Sequence, residues 1–406
     1  MTDSTPPKSS AAKLAVLMAT AFMDMVGVLI VIPLLPFYAT DMGQGGLIVG
    51  LLVSSFSIAQ LAMAPVWGRF SDHYGRRPAL MIGMTASAIA YIVFAMADSI
   101  WMLFLSRIVQ GAGGGTVTVI QAYVADAVQP KERAKALGWL SAATNAGVAI
   151  GPLIGTAALM WGRPGPGLLA SALTVINIAF AWKFLVESRD MTEAAANRHK
   201  APGRSREAVA RVMSHPREPA SRLIWIYAVA IGAFQGSTAI LALFLAARFG
   251  VTAKTIGFFF AYIGVLSVLT RALLLGPMVD RFGEARLSRG GLALLAVGLG
   301  VLPFLHPADN PAFTYVPLAL AVALIPLGTA FTFPCMTALL SRIVSSTERG
   351  LYMGVQQTFG GASRVVFPIL YGWLFDRSVG LPFYLAAVLV AGTITLGIGL
   401  ESITKD

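Results

Sequence analysis

Apolar stretches of about twenty residues recur along the whole chain, and short segments between them hold most of its charged residues. A helix needs roughly 20 apolar residues to cross the hydrocarbon core of a bilayer. Of the 406 residues, 56% are hydrophobic and 12% are charged, and the charged fraction is about half that of a typical soluble domain. The pattern predicts an all-α integral membrane protein and excludes a water-soluble fold.

Segmentation on this length predicts twelve transmembrane helices. They lie near residues 14–36, 47–67, 79–97, 101–124, 137–160, 167–187, 223–247, 255–278, 287–305, 313–340, 351–375 and 381–401. We expect the first to be a retained helix and not a signal peptide, because it is long and holds Asp24 in its middle. A polar stretch at 188–221 separates six spans from six, and it predicts a cytoplasmic linker with a surface helix near 204–214.

The positions of Lys and Arg predict the orientation, because cytoplasmic loops retain these residues. With the N-terminus inside, 23 of the 30 basic residues fall on the cytoplasmic side, 4 fall outside and 3 lie within spans. Both termini are therefore predicted to be cytoplasmic, in a cell membrane that we expect to be a bacterial inner membrane.

The two halves of the chain repeat one another. The pattern Gly68-x-x-x-Asp72-x-x-Gly75 recurs 208 residues later as Gly276-x-x-x-Asp280-x-x-Gly283. At an offset of 216 residues, Glu132-Arg133, Gly138 and Pro152 recur as Glu348-Arg349, Gly354 and Pro368. The repeats predict two pseudo-symmetric six-helix bundles, 1–187 and 222–406, joined by the 188–221 linker, with a pathway between the bundles near the midplane.

Several classes of function have no support in the sequence. The single cysteine and four scattered histidines give neither a disulfide nor metal-ligand spacing, and no phosphate-binding loop is present. The basic residues lie beside apolar spans and not on a polar domain, which argues against nucleic acid as a partner. We expect no enzyme activity, metal or cofactor. The expected partners are a small-molecule substrate, protons and membrane lipid, and one chain with both bundles suffices as a monomer.

The segment 68–80, GRFSDHYGRRPAL, predicts a conformational latch. Gly68 and Gly75 permit a tight turn, while Asp72, Arg76 and Arg77 are able to pair with each other and with helix ends. The alternative is a loop that is basic only because it is cytoplasmic. Asp280 holds the equivalent position in the repeat.

Two ionisable residues lie inside apolar spans of the first half. Asp24 is central in the first span, and Arg107 lies inside the fourth span in the run LSRIVQGAGGG. Each costs several kcal/mol in hydrocarbon unless it has a partner or a water-filled face, so we predict that they interact. A carboxyl between an apolar environment and an intermittent Arg is able to load and release a proton. A permanent structural ion pair is the alternative.

The fifth span carries glycines at i, i+4 and i+8. Gly147, Gly151 and Gly155 form a flat face for close helix packing, and Pro152 predicts a kink. By itself, this spacing is equally typical of ordinary helix packing.

Polar side chains at membrane depth are candidates for lining a substrate cavity. Arg271 and Arg364 lie in the eighth and eleventh spans. They either meet an anionic substrate, or bond to helix carbonyls and nearby amides, or extend into water. The other predicted cavity residues are Gln110, Asn145, Gln235, Gln356 and Gln357.

Taken together, the motifs resemble the major facilitator superfamily, and within it the tetracycline and multidrug drug:proton antiporters. The resemblance lies in the Asp24-x-x-Gly27 and Pro33-x-x-Pro36 run, the 68–78 loop, the Arg107 helix and the 147–155 glycines. It implies that Asp126, at the end of the fourth span, joins Asp72 and Arg76 in the latch, and that the glycine face is an antiporter signature.

The sequence departs from the tetracycline exporters at two places. Those exporters carry an acidic residue in the third span, where this chain has Ala90, and another in the ninth, where 287–300 has none. This difference argues against a tetracycline chelate as the substrate. The leading interpretation is a proton-coupled exporter of small amphipathic molecules that works by alternating access. The alternatives are a transporter or exchanger of an organic anion, and a membrane receptor or scaffold that does not transport.

Overall fold

A computed structural model of the protein describes residues 8–114, 116–128, 132–185, 187, 203–345 and 348–399. These residues form helices joined by short connections, and no strand occurs among them. The α-helices are α1 Lys8–Val31, α2 Leu35–Asp41, α3 Gly46–Tyr74, α4 Arg76–Ala95, α5 Ile100–Gly113, α6 Thr116–Ala127, α7 Arg133–Ala158, α8 Gly165–Phe184, α9 Gly203–Ser214, α10 Pro219–Phe249, α11 Ile256–Leu269, α12 Leu275–Val301, α13 Pro311–Ile343, α14 Arg349–Phe375 and α15 Leu381–Leu396.

The prediction of an all-α membrane protein is confirmed. In the part of the chain that the structure describes, eight helical segments are long and apolar enough to cross a bilayer, and α5 and α15 are shorter apolar helices. One of the eight, Ile256–Phe304, is continuous by hydrogen bonding but has a non-helical residue inside it at Gly283. The number of spans, twelve, stays a prediction.

The turn between α3 and α4 is shorter than the sequence suggested. The helix α3 continues past the apolar segment to Tyr74, and α4 begins at Arg76, so only Gly75, with φ of 100°, is non-helical. Gly68 therefore lies inside a helix and does not form the turn. The repeat behaves in the same way, because Gly283 has φ of 73° inside α12.

Contacts divide the chain into two units. The first comprises Met1–Leu35, Ser55–Lys200 and Ala253–Gly264, and the second comprises Pro36–Ser54, Ala201–Thr252 and Val265–Asp406. Within the first unit, α1 packs on α7 and α8, and α4 packs on α5 and α8. Within the second, α12 packs on α13 and α15, and α10 packs on α14. The division at residues 187 and 222 stays a prediction.

The surface helix expected near 204–214 is confirmed as α9. Ala208 and Val212 are buried on one side of this helix, and Arg206 and Arg211 are exposed. The indole Nε1 of Trp225 donates a hydrogen bond to the carbonyl oxygen of Val212 at 3.3 Å, which attaches α9 to the start of α10. An amphipathic helix of this kind buries an apolar side and leaves its charges in water.

Candidate functional site

Buried polar side chains from α1, α4 and α5 come together inside the first unit. Asp24, Tyr91, Arg107 and Gln110 are each at most 6% exposed. The Nε2 atom of Gln110 donates a hydrogen bond to the Tyr91 hydroxyl at 2.8 Å. Tyr91 also lies within electrostatic range of both Asp24 and Arg107. The structure therefore brings together three residues predicted from the sequence, around a tyrosine that the sequence did not single out.

Gly27 makes room for the Tyr91 ring. A Cβ atom at Gly27 would lie 3.3 Å from the Cε2 and hydroxyl oxygen of Tyr91 and 3.4 Å from Oγ1 of Thr174. Gly27 follows Asp24 by three residues, so both face the same side of α1. The Asp24-x-x-Gly27 pattern thus places a carboxyl on the same side of α1 as the space that the Tyr91 ring occupies.

Arg107 is buried with unused hydrogen-bonding capacity. Its Nε and Nη1 atoms have no hydrogen-bond partner, and its Cζ lies 5.0 Å from the ring centroid of Phe56, a cation–π distance. The predicted ion pair with Asp24 is therefore not made through these two nitrogens. A buried donor without a partner costs about 1–3 kcal/mol, and more when it is charged. An acceptor oxygen from water or a substrate group would remove this cost.

Acceptors with unused capacity also lie in the first unit. Gln110 Oε1, Asn177 Oδ1 and Thr20 Oγ1 are buried without a hydrogen-bond partner. Asn177 is held by its other amide atom, Nδ2, which donates to the carbonyl oxygen of Thr20 at 3.0 Å. Buried polar groups are almost always satisfied by protein, water or ligand. Within the cluster, Arg107 thus has unused donors and Gln110 has an unused acceptor, and both are available to a water molecule or a polar substrate group.

The glycine face of α7 lies against α1, the helix that carries Asp24. Cβ atoms at Gly147 and Gly151 would lie 2.8 Å from the carbonyl oxygen of Phe22 and 2.7 Å from Cβ of Leu29. A Cβ atom at Gly155 would lie closer still to the carbonyl oxygen of Ile30. Larger residues would push α1 away. Pro152 lies within α7, which continues as a helix to Ala158.

The α3–α4 turn is fastened by more charges than the sequence indicated. Arg76 Nη1 pairs with Asp72 Oδ1 at 3.0 Å and donates to Oγ of Ser71 at 2.7 Å. The carboxylate of Glu187 accepts from the backbone N–H groups of Arg76 and Arg77 at 2.9 and 3.0 Å. A helix N-terminus has unpaired N–H groups and favours an anion, so Glu187 caps α4.

Arg77 and Asp126 are the other two residues that were predicted for this turn. The guanidinium of Arg77 donates to the carbonyl oxygen of Trp182, next to the segment that carries Glu187. The side chain of Asp126, which the resemblance placed in the latch, lies outside the described residues. Ser71 and Glu187 were not predicted, and Glu187 is remote from the turn in sequence.

The equivalent turn in the second unit uses a different acid. Asp280 is exposed and forms no ion pair among the residues that the structure describes, and its assignment to the latch stays a prediction. Instead, Glu284 pairs with Arg342 at 2.6 Å. At the offsets of 208 and 216 residues, Glu284 and Arg342 correspond to Arg76 and Asp126, with the charges exchanged.

The remaining predicted cavity residues differ in burial. Gln356 is fully buried, and Oγ1 of Thr337 donates to its Oε1 at 3.4 Å. Gln235, Arg271 and Arg364 are half-buried, and Arg271 lies in a π-helical turn, Thr270–Leu274. Gln357 is exposed, and Asn145 donates to the carbonyl oxygen of Ser141 in its own helix at 2.7 Å.

A carboxylate in the second unit joins helices that are distant in sequence. Asp376, which follows α14, accepts hydrogen bonds from the N–H groups of Gly46 and Leu47 at 2.5 and 2.8 Å and so caps α3. A Cβ atom at Gly46 would lie 2.7 Å from the carbonyl oxygen of Gly372. This contact was not predicted, because nothing in the sequence pairs residues some 330 positions apart.

Metal binding has no support among the described residues, where no group of three potential ligands occurs. Cys335 is a free, buried thiol.

The family model described as Major Facilitator Superfamily matches residues 17–368 and 272–402. Multidrug resistance protein 2 of Bacillus subtilis (strain 168) is 27% identical over 397 residues, covering 96% of this chain and 94% of that protein. Tetracycline resistance protein, class B, of Escherichia coli is 25% identical over 410 residues, covering 96% of each.

Solved structures share the fold. The nucleoside transporter NupG (D323A mutant) aligns with a TM-score of 0.78 at 15% identity, covering 98% of this chain and 100% of that one. The human organic anion transporter MFSD10 (TETRAN) aligns with a TM-score of 0.70 at 22% identity, covering 97% of this chain and 100% of that one.

Proposed function

Because this chain belongs to the Major Facilitator Superfamily and is an integral membrane transporter and not an enzyme, we propose that it exports small amphipathic molecules in exchange for protons. The multidrug and tetracycline resistance proteins that it resembles along most of its length support drug-like compounds as the substrate class. The Lys and Arg distribution supports cytoplasmic termini, and one chain suffices as a monomer.

The observation that carries the proposal is the buried cluster of Asp24, Tyr91, Arg107 and Gln110. A carboxyl inside a transmembrane bundle is retained for function more often than for stability. Protonation of Asp24 removes a negative charge from the cluster and so weakens the attraction of Arg107 towards it. Substrate and proton then stabilise different conformations, which is the requirement for coupled exchange.

Alternating access requires contacts that break in each cycle. We assign this role to the Asp376 cap on α3, which holds the start of that helix against the end of α14. Asp376→Asn keeps the side-chain size but removes the charge, and we expect it to favour the conformation in which this contact is open. Labelling of a cysteine introduced by Leu47→Cys, compared between Asp376→Asn and the otherwise unchanged chain, measures the shift.

The coupling experiment is Asp24→Asn in proteoliposomes. We expect proton-driven uphill transport to fall to background, because the amide does not carry a proton, while the protein still folds and inserts. Asp98→Asn makes the same chemical change at an exposed position and should transport normally. Undiminished uphill transport by Asp24→Asn would refute the assignment. Complete absence of substrate-dependent proton movement in the parent chain would favour a receptor or scaffold.

A second candidate function is transport or exchange of an organic anion. Its support is the pair of unused N–H groups on Arg107, together with the half-buried cations Arg271 and Arg364. Guanidinium groups bind carboxylates with paired hydrogen bonds. If Arg364→Ala abolishes transport of carboxylates and leaves transport of cations unchanged, this function gains support. If transport of carboxylates is unchanged and transport of cations is lost, this function is excluded.

A further inference from the structure

A cavity of about 360 Å³ lies in the second unit between α9, α10 and α14. Val209 and Met213 contribute from α9, Trp225 from α10, and Phe359 and Ala362 from α14. Its size is near the lower end of cavities that bind small molecules, about 300–1,000 Å³. None of these residues belongs to the proposed proton site, so the cavity needs an explanation of its own.

The walls of the cavity are apolar. Thr358 lines it, but its hydroxyl donates to the carbonyl oxygen of Gly354 in the same helix at 3.0 Å. The indole N–H of Trp225 already donates a hydrogen bond to the carbonyl oxygen of Val212 and is not available to a ligand. Ser363 is the other polar side chain in the lining. A guest in this cavity therefore meets hydrocarbon and aromatic rings, with almost no group to recognise a polar part.

The cavity has an elongated, exposed wall along α14, and we refer to it below as the groove. Thr358, Ala362 and Val366 lie at i, i+4 and i+8 on one side of α14, and all three are exposed. This row extends along about 12 Å of helix. A linear hydrocarbon chain matches an apolar groove of this shape better than a compact ring system does.

A cation lies at the α9 side of the groove. Arg206 precedes Val209 by three residues and Met213 by seven, so it shares their side of the helix, and it is exposed. Arg211 is on a different side and is held by Glu218 at 3.0 Å. Basic residues on an amphipathic surface helix attract anionic lipid headgroups.

From these observations we infer that the groove binds an anionic phospholipid from the bilayer. One acyl chain occupies the cavity along α14, and the phosphate pairs with the guanidinium of Arg206. The inference does not depend on the direction of transport or on proton coupling.

The test uses the full chain, purified in detergent and mixed with phosphatidylglycerol or phosphatidylcholine, and native mass spectrometry counts the retained lipids. We expect preferential retention of phosphatidylglycerol, and Arg206→Gln should lower that preference about fivefold. Arg211→Gln removes a nearby charge from another side of α9 and is the matched control. Brominated phosphatidylglycerol should quench the tryptophan fluorescence of the parent chain more than that of the Trp225→Phe variant. This difference would locate the lipid in the groove, which Trp225 lines.

Filling the groove separates chain binding from charge. Ala362→Phe should remove most of the retained phosphatidylglycerol, whereas Val388→Phe, on an exposed apolar surface of α15, should not. Ala228→Leu fills the groove from the opposite wall and replaces Ala362→Phe if that variant does not fold. The inference would be overturned if the filled and parent chains retained phosphatidylglycerol equally, or if the parent chain retained both lipids equally. It would also be overturned if an amphipathic drug, but not unlabelled phosphatidylglycerol, reversed the quenching of tryptophan fluorescence.

Discussion

The two copies of the Gly-x-x-x-Asp-x-x-Gly turn have the same backbone but different fastenings. Gly75 and Gly283 both have positive φ with ψ near 160°, a region that essentially only glycine occupies. In the first copy, Glu187 caps the helix that follows Gly75. In the second, no atom lies within 4 Å of a Cβ atom at Gly283, and the following residue, Glu284, pairs with Arg342 instead.

The difference shows which part of the repeat is fixed by the backbone. A residue that must bend the chain sharply between two helices is glycine in both copies. The charged contacts are made by whichever residues the neighbouring segments supply. Arg76 pairs with Asp72 in the first copy, whereas the equivalent position in the second copy holds an acid, Glu284, which pairs with Arg342. The first turn is therefore held by hydrogen bonds from its own backbone N–H groups to Glu187, and the second by an ion pair between two side chains.

The largest expected difference is between Gly75→Ala and Gly283→Ala. Both variants strain the backbone by about 1–3 kcal/mol. At Gly75 the new Cβ atom would also lie 2.5 Å from Oε2 of Glu187 and displace the cap, which adds about 1 kcal/mol. Thermal unfolding in detergent should show Gly75→Ala to be the less stable of the two. Equal loss of stability would mean that Glu187 moves aside at no cost.

The next effect is that of Glu187→Gln. The amide keeps one acceptor oxygen but loses the charge, so we expect a loss of about 1 kcal/mol from the N-terminus of α4. The measurement is the unfolding midpoint, with Glu207→Gln, at an exposed position on α9, as the control. A midpoint that matches the control would show that Glu187 contributes no more than a surface charge.

Sequence reasoning predicted the parts of this comparison that are local. Asp72 and Arg76 lie four residues apart on the two sides of Gly75, so they are close in the chain and the sequence predicted their pairing. Glu187 is 110 residues from the turn that it caps, and hydrophobic periodicity does not determine which helix ends meet. Segmentation on apolar length ends a span at its first charged residues, although the helix continues to Tyr74.

The same limit applies to the buried cluster. Asp24 and Arg107 were predicted to interact because a charged residue in an apolar span needs a partner or a polar environment. Tyr91 gave no comparable signal, since an aromatic residue is ordinary in a transmembrane helix. Its importance became visible only when Gln110 and Gly27 were placed beside it.

A smaller effect is expected for the ion pair beside the second turn. Glu284 and Arg342 form a pair in which the arginine side chain is 61% exposed, and such pairs contribute about 0–1 kcal/mol. A double-mutant cycle with Glu284→Gln and Arg342→Gln should give a coupling energy in this range that falls as salt is added. A coupling above about 2 kcal/mol would place the second turn on a level with the first and remove the contrast.

The smallest effect, and one of opposite sign, is expected for the first glycine of each pattern. Gly68 and Gly276 have helical conformations, and nothing lies within 4 Å of a Cβ atom at either. Since alanine is the better helix former, Gly68→Ala and Gly276→Ala should leave the unfolding midpoint unchanged or raise stability by up to about 1 kcal/mol. A loss of stability would contradict the open space seen here. If transport falls while stability rises, the glycine is needed in another conformation, in which a second backbone approaches its helix closely. The glycine of the motif is then required by the transport cycle and not by the conformation described here.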